Sequence, residues 1–94
     1  MENTNFYSDF TKSTKEYLQK KTDEELINSF NRECGGSGWT TTRSIYLEEL
    51  RIEMKKRKWD ASAITNHTGG FNLSFGNQVY LENNKLYLIN QKRN

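Results

Sequence analysis

The sequence predicts an α+β fold in which three helices precede a three-stranded antiparallel meander. Two patterns lead to this prediction. Apolar residues recur at helical spacing up to Trp59, and from Gly69 onward they alternate with polar residues at the period of a β-strand. The length of 94 residues sets a further limit, because it allows one small domain with a single core.

The composition favours a folded chain. The net charge is only +2 and aromatic residues make up 13% of the chain, whereas disordered chains combine high net charge with few aromatics. No apolar run approaches the roughly 18 residues that span a membrane, and the N-terminal sequence lacks the order of a signal peptide. We therefore expect a soluble, cytoplasmic protein with no membrane partner.

The first helix is predicted over residues 5–20. Phe6, Phe10, Tyr17 and Leu18 recur there at near-helical spacing, with charged residues between them. This spacing gives the helix one apolar face.

The second helix is predicted over residues 23–34. Thr22 is followed three residues later by Glu25, which is the spacing of a capping box, and acidic residues fill the first turn, where the helix dipole favours them. Glycines after Cys34 end the helix, because glycine accepts positive φ at little cost. The predicted core face of this helix contains Leu26, Ile27, Phe30 and Cys34.

The third helix is predicted over residues 41–58, with its N-cap among the threonines at 40–42. The helical period gives it two apolar stripes, so that it should contact two neighbours. The stripe assigned to the core contains Tyr46, Leu47, Leu50 and Met54. The narrower stripe contains Ile45, Ile52 and Trp59.

The meander follows from the alternating pattern and from its turns. Asn83 and Asn84 tolerate the left-handed conformation of a two-residue hairpin turn, and this turn places Tyr80 opposite Tyr87. The predicted strands cover residues 71–75, 78–82 and 85–90.

The register of the first strand depends on the length of the turn after it. A two-residue turn at Gly76 and Asn77 places the apolar residues of this strand with the two tyrosines, whereas one more loop residue places them with Val79 and Leu81. We prefer the longer turn, since it gives one continuous apolar face to cover the helices. The meander also leaves edge strands through which a homodimer could form.

The residue types indicate no catalytic, metal or cofactor site. Cys34 and His67 are the single cysteine and the single histidine, and neither has a partner at a spacing that catalysis or structural zinc requires. Cys34 is better explained as a small core residue and His67 as an exposed loop residue. The glycines after the second helix lack the context of a phosphate-binding loop. We predict a protein that is not an enzyme.

Charge is separated along the chain. Residues 23–50 hold six acids and two arginines, whereas residues 51–58 hold five cations and one acid. One interpretation is a solvated helix face with ion pairs such as that of Glu48 with Arg51, each worth roughly 0.2–0.5 kcal/mol. The other is a contact for phosphates or for an acidic protein surface, with a tryptophan as its anchor. The residues predicted for that contact are Arg43, Arg51, Lys55, Lys56, Lys58 and Trp59.

A second candidate surface is the outer face of the sheet, where Tyr80, Tyr87 and Ile89 lie beside uncharged Asn and Gln residues. Exposed tyrosines of this kind are typical of partner-binding surfaces. The alternative is that the first helix or a second subunit covers this face.

The order of elements over residues 23–90 is similar to that of winged-helix DNA-binding domains: a helix, a glycine-containing turn, a basic helix and a β-hairpin. The similarity implies a DNA-binding transcriptional regulator. The chain departs from that pattern because its basic residues crowd the C-terminal half of the third helix, whereas such domains contact bases with the N-terminal half. A net charge of +2 is also low for a protein that binds phosphates.

The chain as a whole is small, mixes both signs of charge and has no cofactor signature. It also has an excess of Asn and Lys, whose codons are rich in A. In these traits the chain resembles small proteins of phages and mobile elements, including the anti-CRISPR proteins that block RNA-guided nucleases. The resemblance implies a non-enzymatic inhibitor that docks on a protein or nucleoprotein, with RNA or DNA contact, through the basic third helix. This is the leading hypothesis from the sequence, and the DNA-binding regulator is the alternative.

Overall fold

A computed structural model describes residues 2–36, 38, 40–73 and 76–89, with the backbone alone for residues 2–5. These residues form three α-helices, a short 3₁₀ helix and a two-stranded antiparallel sheet, which confirms the α+β class and the three predicted helices. The elements in chain order are α1 (Glu2–Gln19), α2 (Asp23–Glu33), α3 (Thr41–Lys56), the 3₁₀ helix (Ser62–Ile64), β1 (Val79–Glu82) and β2 (Lys85–Leu88).

Threonine side chains cap the N-termini of α2 and α3, as the sequence predicts. At the start of α2, Thr22 Oγ1 accepts a hydrogen bond from the Glu25 N–H (3.1 Å), and Glu25 Oε1 accepts one from the Thr22 N–H (2.9 Å). The predicted capping box is therefore confirmed. Among the three candidate threonines before α3, Thr40 is the N-cap, because its Oγ1 accepts from the Arg43 N–H (3.1 Å).

The end of α3 comes two residues earlier than predicted, at Lys56. Lys58 adopts a φ of +66°, and its N–H donates to the Lys55 carbonyl (2.9 Å), while the Trp59 N–H donates to the Met54 carbonyl (3.2 Å). These two bonds form a Schellman motif with lysine in the left-handed position. The motif reverses the chain and buries Trp59, which is 7% exposed, beside the end of the helix.

The predicted hairpin is confirmed in its turn and its register. Asn83 and Asn84 have φ values of +55° and +63°, as a type I′ turn requires. Tyr80 pairs with Tyr87, and their rings stack with centroids 5.4 Å apart.

The predicted strand at 71–75 is not formed in the part of the chain that the structure describes. Residues 74 and 75 lie outside the described residues, and Phe71 makes only an isolated antiparallel bridge with Thr65. The Asn72 N–H donates to the Ile64 carbonyl (2.7 Å), so that this segment pairs with the residues before it and not with β1. The preferred register against β1 is therefore not observed, although Phe71 and Leu73 do pack on the core.

The core lies where the helices meet the hairpin. α1 packs against α3, α2 against β1, and the 3₁₀ helix against β2. Between α1 and α3, Lys15 Nζ lies 3.4 Å from the buried Oε1 of Glu49. The two side chains form an ion pair, but this oxygen accepts no hydrogen bond among the described residues. Within the described residues, every helix is too short or too polar to cross a bilayer. The buried apolar residues are Leu18, Leu26, Ile27, Phe30, Cys34, Leu47, Leu50, Met54, Trp59, Ile64, Val79 and Leu86.

Candidate functional site

A groove runs along α3, between this helix and the loop that follows the 3₁₀ helix. Arg51 lines every part of it, which makes this side chain the centre of the groove. The helix wall contains Ser44, Glu48, Arg51 and Lys55, and the loop wall contains Asn66, Gly69, Gly70 and Phe71. We call this feature the α3 groove.

The loop wall is shaped by the side chain of Asn66. Its Oδ1 accepts hydrogen bonds from the N–H groups of Thr68 (2.9 Å) and Gly70 (3.0 Å), and its Nδ2 donates to the Phe71 carbonyl (3.3 Å). Gly69 has a φ of +97°, a conformation that favours glycine, and a Cβ at this position would meet nothing within 4 Å. The hydrogen bonds of Asn66 therefore fix the backbone of the loop wall, and the space above Gly69 is open.

The groove contains a cavity of about 280 Å³ near the end of α3. Arg51 and Lys55 form its cationic rim, while the apolar side chains of Met54, Trp59 and Phe71 line its interior. Three of the residues predicted for a cationic contact, Arg51, Lys55 and Trp59, therefore meet at one cavity. A second cavity of about 290 Å³ continues the groove toward Ser44 and Leu47.

The two rim cations differ in their electrostatic state. Arg51 Nη2 lies 2.6 Å from Glu48 Oε2, and this hydrogen bond raises the pKa of Arg51 and lowers the pKa of Glu48. Lys55 is exposed and has no acidic partner among the described residues, and the same holds for Lys58 at the end of the helix. Lys55 is therefore the rim residue whose charge is available to a partner.

The other predicted cations are held by the protein's own acids. Arg43 Nε lies 2.9 Å from Glu33 Oε1 and joins the end of α2 to the start of α3. Lys56 Nζ lies 3.6 Å from Glu53 Oε1 on the same helix. The predicted cationic set is thus divided, with Arg43 and Lys56 in intramolecular pairs. Trp59 is also less accessible than an exposed anchor, because the turn after α3 directs it inward.

Arg57 belongs to the basic run but is the most extensively bonded of its cations. It donates to Glu53 Oε2 (2.8 Å), to Asp23 Oδ1 (2.7 Å) and to the Lys21 carbonyl (2.8 Å). Its Cζ lies 5.9 Å from the centroid of the Trp59 ring. The i,i+4 spacing indicates the Glu53 contact, whereas no local signal indicates the contact with Asp23, 34 residues away.

The second predicted surface is open to solvent in part. Tyr87 is 37% exposed and Ile89 is 44% exposed, while Tyr80 is half-buried and Lys85 Nζ lies 5.5 Å from the Tyr87 ring centroid. The alternative of a cover by α1 is therefore not observed at Tyr87 and Ile89. Tyr80 and Ile89 line a groove between α2 and β1, whereas Tyr87 does not.

Cys34 lies at the C-cap of α2 and is 9% exposed. Burial raises the pKa of its thiol, with a further contribution from the neighbouring Glu33 carboxylate. The nucleophilic thiolate is therefore disfavoured at neutral pH. His67 is exposed in the loop that follows the 3₁₀ helix.

The walls of the α3 groove come from residues that the sequence pattern does not connect. The loop residues Asn66, Gly69 and Gly70 were not predicted as part of a site, although an Asn followed by Thr and two glycines is a recognisable turn signal. Comparison of the chain with protein-family models, with curated proteins and with solved structures gives no match.

Proposed function

We propose that this protein is a small, non-enzymatic binding protein that docks on a nucleoprotein through the α3 groove and thereby blocks it. One observation carries the proposal: a single cavity combines a cationic rim at Arg51 and Lys55 with an apolar interior at Trp59 and Phe71. This combination fits a phosphate or carboxylate that stands next to a flat or apolar group.

The small number of unpaired cations at the C-terminal end of α3 favours a nucleoprotein over free nucleic acid. Lys55 and Lys58 have no acidic partner among the described residues, and two cations correspond to about two phosphate contacts. For single-stranded nucleic acid, two contacts give a slope of only about −1.4 in the logarithm of affinity against the logarithm of salt concentration. Protein surface on the partner must therefore supply most of the affinity.

A DNA-binding regulator is the second candidate, and the order of α2, α3 and the hairpin supports it. Its weakness lies in the N-terminal half of α3, the half that reads bases in winged-helix domains. The cation of that half, Arg43, is engaged by Glu33 at 2.9 Å. Reading bases with this arginine would first require that the ion pair be broken.

The test of the proposal is a charge reversal at the groove, Lys55→Glu, with Lys12→Glu as its matched control. Lys12 is an exposed lysine of α1 that also lacks an acidic partner among the described residues. Each tagged protein is incubated with nuclease-treated and untreated bacterial lysate, and the captured complex is then purified for affinity measurements. We expect a complex that survives nuclease treatment, at least about tenfold weaker binding by Lys55→Glu, and an unchanged affinity for Lys12→Glu.

Two results would contradict the proposal. If Lys55→Glu binds the complex as tightly as the wild type, the α3 groove is not the docking surface. If the isolated protein binds a DNA duplex tightly, with a salt slope far steeper than the value of about −1.8 that two phosphate contacts give on duplex DNA, the DNA-binding regulator is the better interpretation.

A further inference from the structure

A second groove lies between α2 and β1 and shares no lining residue with the α3 groove. It encloses a cavity of about 450 Å³. Ile27, Tyr80 and Ile89 give it apolar walls, and Asp23 and Glu24 stand at the end formed by the first turn of α2. We call this feature the α2–β1 groove.

The main chain of β1 presents its free edge to this groove. The Ile89 N–H donates to the Gln78 carbonyl (2.9 Å). In an antiparallel pair only every second residue exchanges hydrogen bonds with the neighbouring strand, so the main chain bonds to β2 at Gln78 and at every second residue after it. The N–H and C=O groups of Val79 and Leu81 therefore point away from β2. Val79 and Leu81 both line the α2–β1 groove.

Asn31 of α2 takes the place of a neighbouring strand at Val79. Its Oδ1 accepts from the Val79 N–H (2.8 Å), and its Nδ2 donates to the Val79 carbonyl (3.0 Å). Leu81, the next outward-facing residue, has no such partner among the residues that the structure describes. The edge is therefore closed at one position and open at the next.

The charge at the groove is acidic. Asp23 is already bound by Arg57 at 2.7 Å, whereas Glu24 is exposed and has no cationic partner within the described part of the chain. A carboxylate in this state attracts a lysine or arginine, and the apolar walls beside it accept an aliphatic side chain.

We propose that the α2–β1 groove binds a single extended protein segment in which Lys or Arg stands next to aliphatic residues. The segment adds to the edge of β1 by main-chain hydrogen bonds to Leu81, places an aliphatic side chain against Ile27 and Ile89, and places its cation beside Glu24. A single segment fits better than a second copy of this chain, because α2 forms the opposite wall and a second β1 would bring its own α2 into the same space.

The probe is an amidated peptide that carries a fluorophore on its N-terminus and in which valine and lysine alternate over seven positions. Its controls are the same peptide with glutamate in place of lysine, and the lysine peptide with alternate backbone nitrogens methylated. Binding is measured by fluorescence anisotropy, and the site is located by amide chemical shifts in NMR spectra of the ¹⁵N-labelled protein. The protein variants are Glu24→Lys and, as a matched control on α1, Glu16→Lys.

We expect the lysine peptide to bind at least about tenfold more tightly than either control peptide, with the largest shift at the Leu81 amide. Glu24→Lys should weaken this binding at least about fivefold, whereas Glu16→Lys and Lys55→Glu should leave it unchanged. The proposal is overturned if the glutamate peptide binds equally well, or if the Leu81 amide does not shift. It is also overturned if sedimentation shows a dimer whose formation shifts the Leu81 amide in the NMR spectra, because a second copy then occupies the groove.

Discussion

At the scale of single residues, Arg57 explains how an acidic side chain is buried between the helices. Its side chain is 18% exposed and its guanidinium holds the carboxylate of Glu53, whose side chain is 9% exposed, together with Asp23 of α2 and the carbonyl of Lys21. The planar fork of arginine satisfies these acceptors at once, which the single ammonium of a lysine cannot do in the same geometry. Arg57 is therefore a structural residue within a basic run that otherwise invites a functional interpretation.

We expect Arg57→Met to lower the free energy of unfolding by about 3 kcal/mol. The substitution leaves the buried Glu53 with Lys56, 3.6 Å away, as its remaining cation. The control is Arg51→Met, which should cost less than about 1 kcal/mol, since the pair of Arg51 with Glu48 is much more exposed to solvent. Urea unfolding of both variants measures the difference. Equal losses would show that Arg57 does not have the role assigned to it.

The pH dependence of stability includes a contribution from Asp60. Hydrogen bonds from Ser62, assisted by the charge of Lys85, lower the pKa of Asp60 below its ordinary value of 3.8. Because the folded pKa is the lower one, the stabilisation is fully present above the unfolded pKa and is lost as pH falls through the folded pKa.

We therefore expect Asp60→Asn to flatten the loss of stability below about pH 4, compared with the wild type. Free energies of unfolding measured from pH 6 down to pH 3, at constant ionic strength, test this expectation. Glu16→Gln serves as the control, because Glu16 lies in the interior of α1, is exposed and has no cationic partner among the described residues. If stability falls equally with decreasing pH in Asp60→Asn and in the wild type, Asp60 does not make this contribution.

At the scale of secondary-structure elements, the end of α3 decides what the candidate site contains. The left-handed conformation of Lys58 ends the helix and directs Trp59 toward Met54 and the cavity of the α3 groove. A continued helix would have kept Trp59 on the narrower apolar stripe with Ile45 and Ile52. One positive φ angle thus makes this tryptophan a wall of the groove.

Lys58→Gly should raise the free energy of unfolding by about 0.5–1 kcal/mol, because glycine adopts this conformation without steric cost. Lys56→Gly, two residues earlier and inside α3, should lower it by about 1 kcal/mol. Thermal unfolding of the two variants provides the comparison. If both substitutions destabilise the protein, the helix does not end in the Schellman motif described above.

At the scale of the whole molecule, the stability is concentrated in one part of an elongated fold. The principal extents are 54 × 26 × 21 Å. Among the described side chains of α1, those that are buried are Thr14 and Leu18, both in its second half, whereas Phe6 and Tyr7 in the first half are 55% and 44% exposed. The first half of α1 therefore extends past the core.

Two substitutions of apolar residues on α1 should have very different effects. We expect Leu18→Ala to lower the free energy of unfolding by about 2–5 kcal/mol, because the side chain is completely buried. Phe6→Ala should change it by less than about 0.5 kcal/mol. Urea denaturation of the two variants measures this, and a large loss for Phe6→Ala would mean that the first half of α1 packs against the rest of the molecule.

The loop after the 3₁₀ helix shows why part of the fold was not predictable. Alternation correctly indicated that Phe71 and Leu73 face the core, but it cannot say which segment pairs with them. Asn66 decides this point, because its side chain turns the chain back so that Thr65 bridges Phe71. The same turn forms one wall of the α3 groove, and this is why half of the candidate site was missing from the sequence prediction.

The sequence by itself determined the three helices, the capping box at Thr22 and the register of the hairpin around Asn83 and Asn84. Each of these depends on residues a few positions apart, whose preferences are local. Only the tertiary structure decided which cations are engaged and where grooves form. Those outcomes depend on contacts between distant residues, such as Arg57 with Asp23 and Asn31 with Val79, 34 and 48 positions apart. Such contacts are set by how the elements pack, because a long side chain finds its partner only once the helices and the hairpin have taken their places.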